Sequence, residues 1–208
     1  QDSVEELVGR PALEMTGGKE HSFHGMGRED IDALMLGNGR PFVLEVKEPR
    51  RRSIDISALE TSINSSTDKV RVSGLRPSDG GEVVRIKLAR PRKSYRALVE
   101  FESPVGEENL NEVVVSLGGT RIRQQTPQRV MHRRSDLGRE RAVLEISARL
   151  LEGGREAELD ITAEAGTYIK EFVNGDDGRT VPSIAGKLGV ACRVKALDVL
   201  NIADEVTT

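Results

Sequence analysis

Residues 25 to 30 read Gly25-Met26-Gly27-Arg28-Glu29-Asp30, with Asp32 next and Gly37-Asn38-Gly39-Arg40-Pro41-Phe42 close behind. Carboxylates on a glycine-flanked turn with arginines on both sides can be kept charged, because an opposite charge within a few ångströms favours the ionised form. A carboxylate held that way can serve as a nucleophile instead of a proton donor. Charge and glycine content alone favour a plain polar turn between two core segments, since matches of this length arise by accident. Glu29, Asp30 and Asp32 are the carboxylates of this turn. Asp32 could simply satisfy backbone donors there.

The elements that must position this turn read as mixed α and β. Residues 3 to 8 suggest a short helix. Pro41 to Lys47 reads as a strand ending at Pro49. Asp55 to Ser65 has helical spacing, with Ile56, Leu59 and Ile63 on one stripe and Asp55 as N-cap. Lys69 to Leu75 and Val83 to Leu88 read as strands. Ser94 to Phe101 places Tyr95, Ala97, Val99 and Phe101 on one face, the pattern of a half-buried strand. Glu107 to Leu117 reads as a helix closed by Gly118-Gly119. Ala142 to Leu150 and Glu156 to Ala163 alternate, with a hairpin turn at Gly153-Gly154. Thr167 to Val173 and Pro182 to Leu188 suggest short helices, and Cys192 to Ile202 a final strand. Strands joined mostly as hairpins, with helices between, indicate an α+β fold with a largely antiparallel or mixed sheet. Residues 1–208 read as one domain with an internal seam near 103–107, where Pro104 and Gly106 sit.

Composition narrows the classes. The chain has 208 residues, 37% hydrophobic and 31% charged, which is the make-up of a globular protein with a sizeable core. No apolar run approaches the roughly 20 residues of a membrane span. The acidic start Gln1-Asp2-Ser3-Val4-Glu5-Glu6 lacks the order of a signal peptide. Cys192 is the only cysteine, which fits a reducing, intracellular, cytoplasmic setting. The absence of an initiator Met suggests a piece of something longer. Net charge is −3, yet basic residues are segregated. They run at Arg50-Arg51-Arg52, at Arg90 to Arg96, and from Arg121 to Arg141, where Arg129, His132, Arg133 and Arg134 lie. Such runs are either solvated loops or a basic face on an acidic body. Pro127 and the lack of apolar periodicity across 124–140 suggest an irregular loop there.

Taken in order, several motifs resemble one family. They are Gly27-Arg28-Glu29-Asp30-Ile31-Asp32, Leu36-Gly37-Asn38-Gly39-Arg40-Pro41-Phe42, Lys93-Ser94-Tyr95-Arg96, Gln125-Thr126-Pro127-Gln128-Arg129-Val130 with His132-Arg133-Arg134, Gly166-Thr167-Tyr168-Ile169-Lys170-Glu171-Phe172-Val173, and Gly178-Arg179-Thr180-Val181-Pro182-Ser183. Each is weak alone. Together, from about residue 20 to residue 203, they resemble the catalytic domain of the archaeal and eukaryotic tRNA pseudouridine synthases of the Pus-ten type.

The resemblance implies a central mixed, mostly antiparallel sheet of two related halves flanked by helices, with a cleft across the middle. It implies isomerisation of uridine to pseudouridine in tRNA, at positions 54 and 55 of the TΨC arm in the family. No metal and no organic cofactor is expected. The aspartate of the Gly-Arg-x-Asp motif falls on Asp30 as the catalytic residue, and the cation after Gly-Thr-Tyr-Ile falls on Lys170 as its partner. Arg28, Tyr95, Tyr168 and Lys170 are expected to bind substrate, the tyrosines against the target base. Such a base must be flipped out of its arm. Arg50, Arg51, Arg52, Arg129, His132, Arg133 and Arg134 are the expected phosphate contacts, the segment from Arg121 to Arg141 forming a clamp. The expected partner is tRNA, with no membrane and no obligatory protein partner. The family's amino-terminal RNA-binding domain with zinc-type cysteines is missing from this chain, which therefore reads as the catalytic domain alone.

Two readings from other classes stand beside this one. One is a non-catalytic tRNA-binding or chaperone module. The other is a metal-dependent phosphodiesterase built on Glu29, Asp30, Asp32 and Asp176-Asp177, which would need carboxylates gathered around divalent ions.

Overall fold

The computed structural model describes residues 2–204. In chain order the elements are α1 (Val4–Thr16), β1 (Glu20–Gly25), β2 (Leu34–Met35), β3 (Phe42–Lys47), α2 (Ile56–Ser66), α3 (Gly80–Leu88) and β4 (Lys93–Phe101). Then come α4 (Glu107–Leu117), β5 (Thr120–Gln124), a 3-10 turn (Gln128–Arg133), β6 (Arg139–Leu150), β7 (Glu156–Ala163), α5 (Ile169–Asn174), β8 (Thr180–Val181), α6 (Ile184–Leu188) and β9 (Cys192–Ile202). The chain divides into two compact units. One holds the residues up to Arg28 with Pro41–Ala89; the other holds Glu29–Arg40 and the residues from Arg90 onward. This division does not fall at 103–107. That segment lies inside the second unit, where Val105 N–H donates to Gly154 O at 2.8 Å and ties it to the β6–β7 turn. Among the described residues no helix is long and apolar enough to cross a membrane.

In the first unit, α1 is longer than the expected 3–8. A capping box between Ser3 and Glu6 starts it, and Gly17 in the left-handed region ends it. Gly9 and Pro11 look like terminators in the sequence. Gly9 is instead a close approach, since a Cβ there would meet the His21 ring at 2.5 Å. Val8 and Ala12 of α1 pack with Leu59 and Ile63 of α2 and with Val72. Strands β1 and β3 form a separate antiparallel ribbon, with Phe23 stacked on Phe42.

Two strand expectations fail in this unit. Lys69 to Leu75 is irregular, because side chains of α2 satisfy its backbone in place of a neighbouring strand. Val72 N–H donates to Asn64 Oδ1 at 2.7 Å and Asn64 Nδ2 donates to Val72 O at 2.8 Å. Leu75 N–H donates to the Glu60 carboxylate at 3.0 Å. Val83 to Leu88 lies in helix α3, capped by Asp79, whose side chain accepts from Glu82 N–H at 3.0 Å. Ile86 is buried and Val83 partly so, while Val84 and Leu88 are exposed, which is helical and not alternating spacing.

The second unit is built on a seven-stranded sheet in the order β2-β9-β4-β7-β6-β5-β8. Every neighbouring pair is antiparallel except β2 with β9. This is the expected mixed, mostly antiparallel α+β sheet flanked by helices. The alternation read in β4 is real: Tyr95, Ala97, Val99 and Phe101 are all buried, as are Ala157, Leu159, Ile161 and Ala163 of β7. In β6 the inward face changes parity. Val143 is buried, then Ile146, Ala148 and Leu150 take over the less exposed side. A bulge between Val143 and Glu145 inserts the extra residue. The turn Gly153-Gly154, the helix Glu107–Leu117 and the strand Cys192–Ile202 stand as read. Ser183, one residue past Pro182, is the N-cap of α6.

The Asn64 bridge generates a stability prediction. Asn64→Leu removes both partners of Val72 while keeping side-chain volume. It should lower unfolding stability by about 2 kcal/mol, the desolvation cost of orphaned backbone groups. Urea unfolding of wild type and variant checks it, an unchanged midpoint being the contrary result.

Candidate active site

The turn that carries Asp30 is fixed at its far end by β9. Leu34 and Met35 pair in parallel with Asp198 and Val199. Leu36 N–H donates to Val199 O at 2.9 Å, Asn38 N–H to Leu200 O at 3.1 Å, and Asn38 Nδ2 to Asn201 Oδ1 at 3.0 Å. Gly37 makes that seam possible: its φ is +64°, and a Cβ would stand 2.0 Å from Leu200 O. At the near end, Ala33 N–H donates to Asp30 O at 3.0 Å and closes a tight turn. Ile31 projects fully into solvent.

The side chains of the turn meet cations from three other segments of the same unit. Glu29 pairs with Arg40 and with Lys93 of β4, both largely buried. Asp30 Oδ1 accepts from Arg129 Nη1 at 2.8 Å. Lys170 Nζ stands 3.7 Å from Asp30 Oδ2 but donates to both Asp32 oxygens at 2.8 Å. That hydrogen bond, with the Lys170 charge, holds the Asp32 carboxyl below its ordinary range. The expected pairing of Asp30 with Lys170 is present at 3.7 Å; Arg129 adds the shorter contact, and Lys170 is shared, nearer to Asp32.

Arg129 is a link as well as a partner. Its Nε donates to Glu171 Oε1 at 2.7 Å and its Nη2 to Glu171 Oε2 at 3.3 Å. Glu171 is 3% exposed, in α5 between Lys170 and Phe172. Burial opposes the Arg129 charge; the hydrogen bonds to Glu171 and then Asp30 outweigh it and raise the guanidinium pKa. The 3-10 turn bearing Arg129 is anchored in its own right. Gln128 N–H donates to Asp176 Oδ2 at 3.1 Å, and Thr126 Oγ1 donates to Ser135 O at 2.7 Å. Arg179 Nη2 donates to Thr126 O at 2.9 Å and to Asp136 Oδ1 at 2.5 Å.

The two tyrosines are held differently. Tyr95 is 6% exposed, and burial pushes its phenol up to about 12 against the opposing effect of Arg40, with Asp30 adding to the rise. Tyr168 is fixed through its backbone. Its N–H donates to Gln124 Oε1 at 3.0 Å, and Gln124 Nε2 donates to its carbonyl at 2.9 Å. Its hydroxyl accepts from Arg134 Nη1 at 3.1 Å.

The second unit thus brings Asp30, Lys170 and Arg129 into contact, sets Tyr95 within their electrostatic reach, and joins Tyr168 to Arg134. His132 and Arg133 are exposed on the segment after Arg129. Arg28, Arg50, Arg51 and Arg52 belong to the first unit; Arg28, Arg51 and Arg52 are exposed, and Arg50 N–H donates to Thr16 O at 3.0 Å. Sequence reasoning missed Glu171. Its signal was a lone carboxylate inside the apolar run Ile169 to Val173. Among the described residues, no three His, Cys, Asp or Glu side chains converge as metal ligands. Asp176 and Asp177 sit in a turn with positive φ, at Gln128.

The family model described as "Pus10, C-terminal" matches residues 1–203. The chain belongs to this family. It is 50% identical over 202 residues to the tRNA pseudouridine synthase Pus10 of Archaeoglobus fulgidus, covering 97% of this chain and 56% of that protein. It is 48% identical over 205 residues to the protein of that name from Halorubrum lacusprofundi, covering 98% of this chain and 48% of the relative. The chain spans about half the length of the curated relatives it matches. Among solved structures, a chain of a Cbf5-Nop10-Gar1 complex resembles it with a TM-score of 0.59 at 18% identity, over 98% of this chain and 47% of the other. That likeness is one of fold. The segments of Asp30 and Lys170 singled out in the sequence meet within the second unit.

Burial of Tyr95 gives a measurable consequence. An unfolded-state phenol ionises near about 10. The folded-state value is raised to about 12, so native stability should fall as pH climbs from the first value through the second. An ultraviolet difference titration of wild type against Tyr95→Phe should place the Tyr95 transition near 12; a transition at the ordinary phenol value would contradict this burial.

Proposed function

We propose that this chain isomerises uridine to pseudouridine in tRNA, with Asp30 as the catalytic residue and the TΨC arm as the site of action. The observation that carries this reading is Asp30 itself. The Gly-Arg-x-Asp aspartate lies on a turn sewn to β9, with one oxygen engaged by Arg129, the other 3.7 Å from Lys170, and about a quarter of its side chain open. Near-full-length likeness of this chain to relatives named tRNA pseudouridine synthase supports the substrate class.

In this reaction the bond from ribose C1′ to uracil N1 breaks, the uracil turns, and C1′ bonds to C5. The C5 hydrogen leaves and N1 takes up a proton, so the product is an isomer of the substrate. Asp30 assists departure at C1′, either by bonding to that carbon or by removing the neighbouring ribose proton. The cations beside it keep the carboxylate in place and charged. Tyr95 packs its ring against the extruded base and, with its phenol held neutral by burial, offers a hydrogen bond. Tyr168, oriented through Gln124 and Arg134, contacts the substrate with Lys170, and Arg28 is assigned to substrate binding by its motif alone. Arg133, Arg134 and His132 take phosphates on the strand that enters the site, with Arg50, Arg51 and Arg52 as a second basic segment. Arg129 leaves this phosphate set, because its guanidinium is engaged by Asp30 and Glu171.

Incubation with an unmodified tRNA transcript and chemical mapping of pseudouridine tests the proposal. Wild type should form the product in the TΨC arm, in the presence of a chelator as well as without it. Asp30→Asn should lose it, a drop of about a thousandfold or more for a group at the reacting centre, with tRNA binding nearly unchanged. Asp32→Ala should be far milder. Tyr95→Phe should bind tRNA yet yield little product if the hydroxyl acts at C5, and normal product would remove that role. Binding without product in wild type would favour the chaperone module; nucleolytic cleavage abolished by chelator would favour the phosphodiesterase.

The phosphate contacts are tested apart from the chemistry. Arg133→Ala with Arg134→Ala should weaken tRNA binding for every sequence and reduce the salt slope by about 1–2, one released counterion per lost contact. An unchanged slope would show that these side chains do not meet the backbone.

A further inference from the structure

Glu171 is a buried carboxylate without a role in the scheme above, and Arg129 has been drawn there from the basic segment. Their geometry calls for one. Glu171 is 3% exposed while the Arg129 side chain keeps 35% of its surface open and Asp30 27%. The three form a graded line from the interior to solvent. The buried end holds the guanidinium through two contacts, at 2.7 and 3.3 Å. The remaining Nη1 reaches Asp30 Oδ1 at 2.8 Å. A planar fork can grip one carboxylate at two points while a further N–H in the same plane reaches a second, whereas an ammonium is a compact point charge without that fixed two-point grip.

We propose that Glu171 and Arg129 are positioning residues that set the orientation of the Asp30 carboxylate and so decide which of its oxygens reacts. This rests on the reading of Asp30 as the catalytic group. Oδ1 is occupied by Arg129. Oδ2 stands 3.7 Å from Lys170 Nζ, the nearest cation recorded for it among the described residues, and is the oxygen left to face the sugar. The turn is anchored on either side of Asp30, by the ion pairs of Glu29 and by β9 beyond Ala33, but Asp30 itself lies between these anchors. Ile31 beside it is solvated, and the turn closes on one backbone bond, Ala33 N–H to Asp30 O. The rigid part is α5, where Ile169, Phe172 and Val173 are buried. Glu171 transmits that rigidity through Arg129 to a residue it does not itself touch. An approach angle that drifts by an ångström can cost about a hundredfold in rate.

The test compares Glu171→Gln, Arg129→Ala, Arg129→Lys and the Arg129→Ala/Glu171→Gln double variant with wild type in the assay that scores Asp30→Asn. Turnover, KM, tRNA affinity with its salt slope, and hydrogen exchange at the Ala33 amide are measured on each. Arg129→Ala and Glu171→Gln should lower kcat roughly 10- to 100-fold with KM and salt slope near wild type. Arg129→Lys should remain impaired in kcat, because a point charge without the planar fork does not fix the angle between the two carboxylates. The double variant should be no worse than Arg129→Ala, the non-additivity of residues acting in series. Exchange at Ala33 should quicken several-fold in both single variants while amides of β4 stay protected.

A raised KM and a shallower salt slope with kcat intact would make Arg129 a phosphate contact and overturn the proposal. So would full kcat in Arg129→Lys, or additive losses in the double variant. If Glu171→Gln does not fold, the Arg129 pair and its Ala33 exchange decide alone. If wild type makes no pseudouridine, the functional reading fails, and the exchange data still judge whether the pair holds the turn: unaltered Ala33 exchange in Arg129→Ala would end the proposal.

Discussion

A carboxylate buried to 3% exposure is costly unless a cation meets it, and Glu171 in α5 is met by Arg129. Much of the candidate site follows from that requirement. The guanidinium must come to the interior end of the network, so the segment from Gln125 to Arg134 is folded back by Thr126, Gln128 and Arg179 to deliver it. Once there, it has a donor left over, and Asp30 receives it. Lys170, the residue before Glu171 on the same short helix, then lies between Asp30 and Asp32. One helical turn of three residues, Lys170 to Phe172, supplies a cation for the turn, an anion for the arginine and an apolar anchor for both.

Hydrophobic periodicity carried much of the fold in the sequence. The inward row Tyr95, Ala97, Val99 and Phe101 was legible because β4 is a straight, half-buried strand with neighbours on both sides. Asp55 was legible as a cap because its oxygen accepts a local donor, Ala58 N–H. What failed was whatever depends on side-chain bonds and irregularities that hydropathy alone does not display. Val83-Val84 looks like strand chemistry, yet the Asp79 cap and the inward set of Val83 and Ile86 make it helix α3. Val70 and Val72 look the same, yet Asn64 occupies the bonds that a strand neighbour would take. The parity change in β6 rests on a bulge that no alternating pattern announces.

The site was legible in kind and less so in pairing. Asp30, Tyr95, Tyr168 and Lys170 could be placed by motif, and the second unit gathers their segments. Which cation meets which anion could not be read, because Arg129 and Asp30 are 99 residues apart and long side chains choose among several partners. A basic run naturally suggests phosphate contacts. The structure divides that run: Arg129 turns inward to two carboxylates, Arg134 meets Tyr168, and Arg133 stays exposed.

The account's central claim is that the aspartate held by this network breaks the N1 bond and remakes it at C5, a change that must expel the C5 hydrogen. A tRNA transcript carrying tritium at uridine C5 reports that step directly. Wild type should release tritium to water in equal amount to the pseudouridine formed, and Asp30→Asn, bound to the same tRNA, should release none. Release by Asp30→Asn at the wild-type rate would contradict the account.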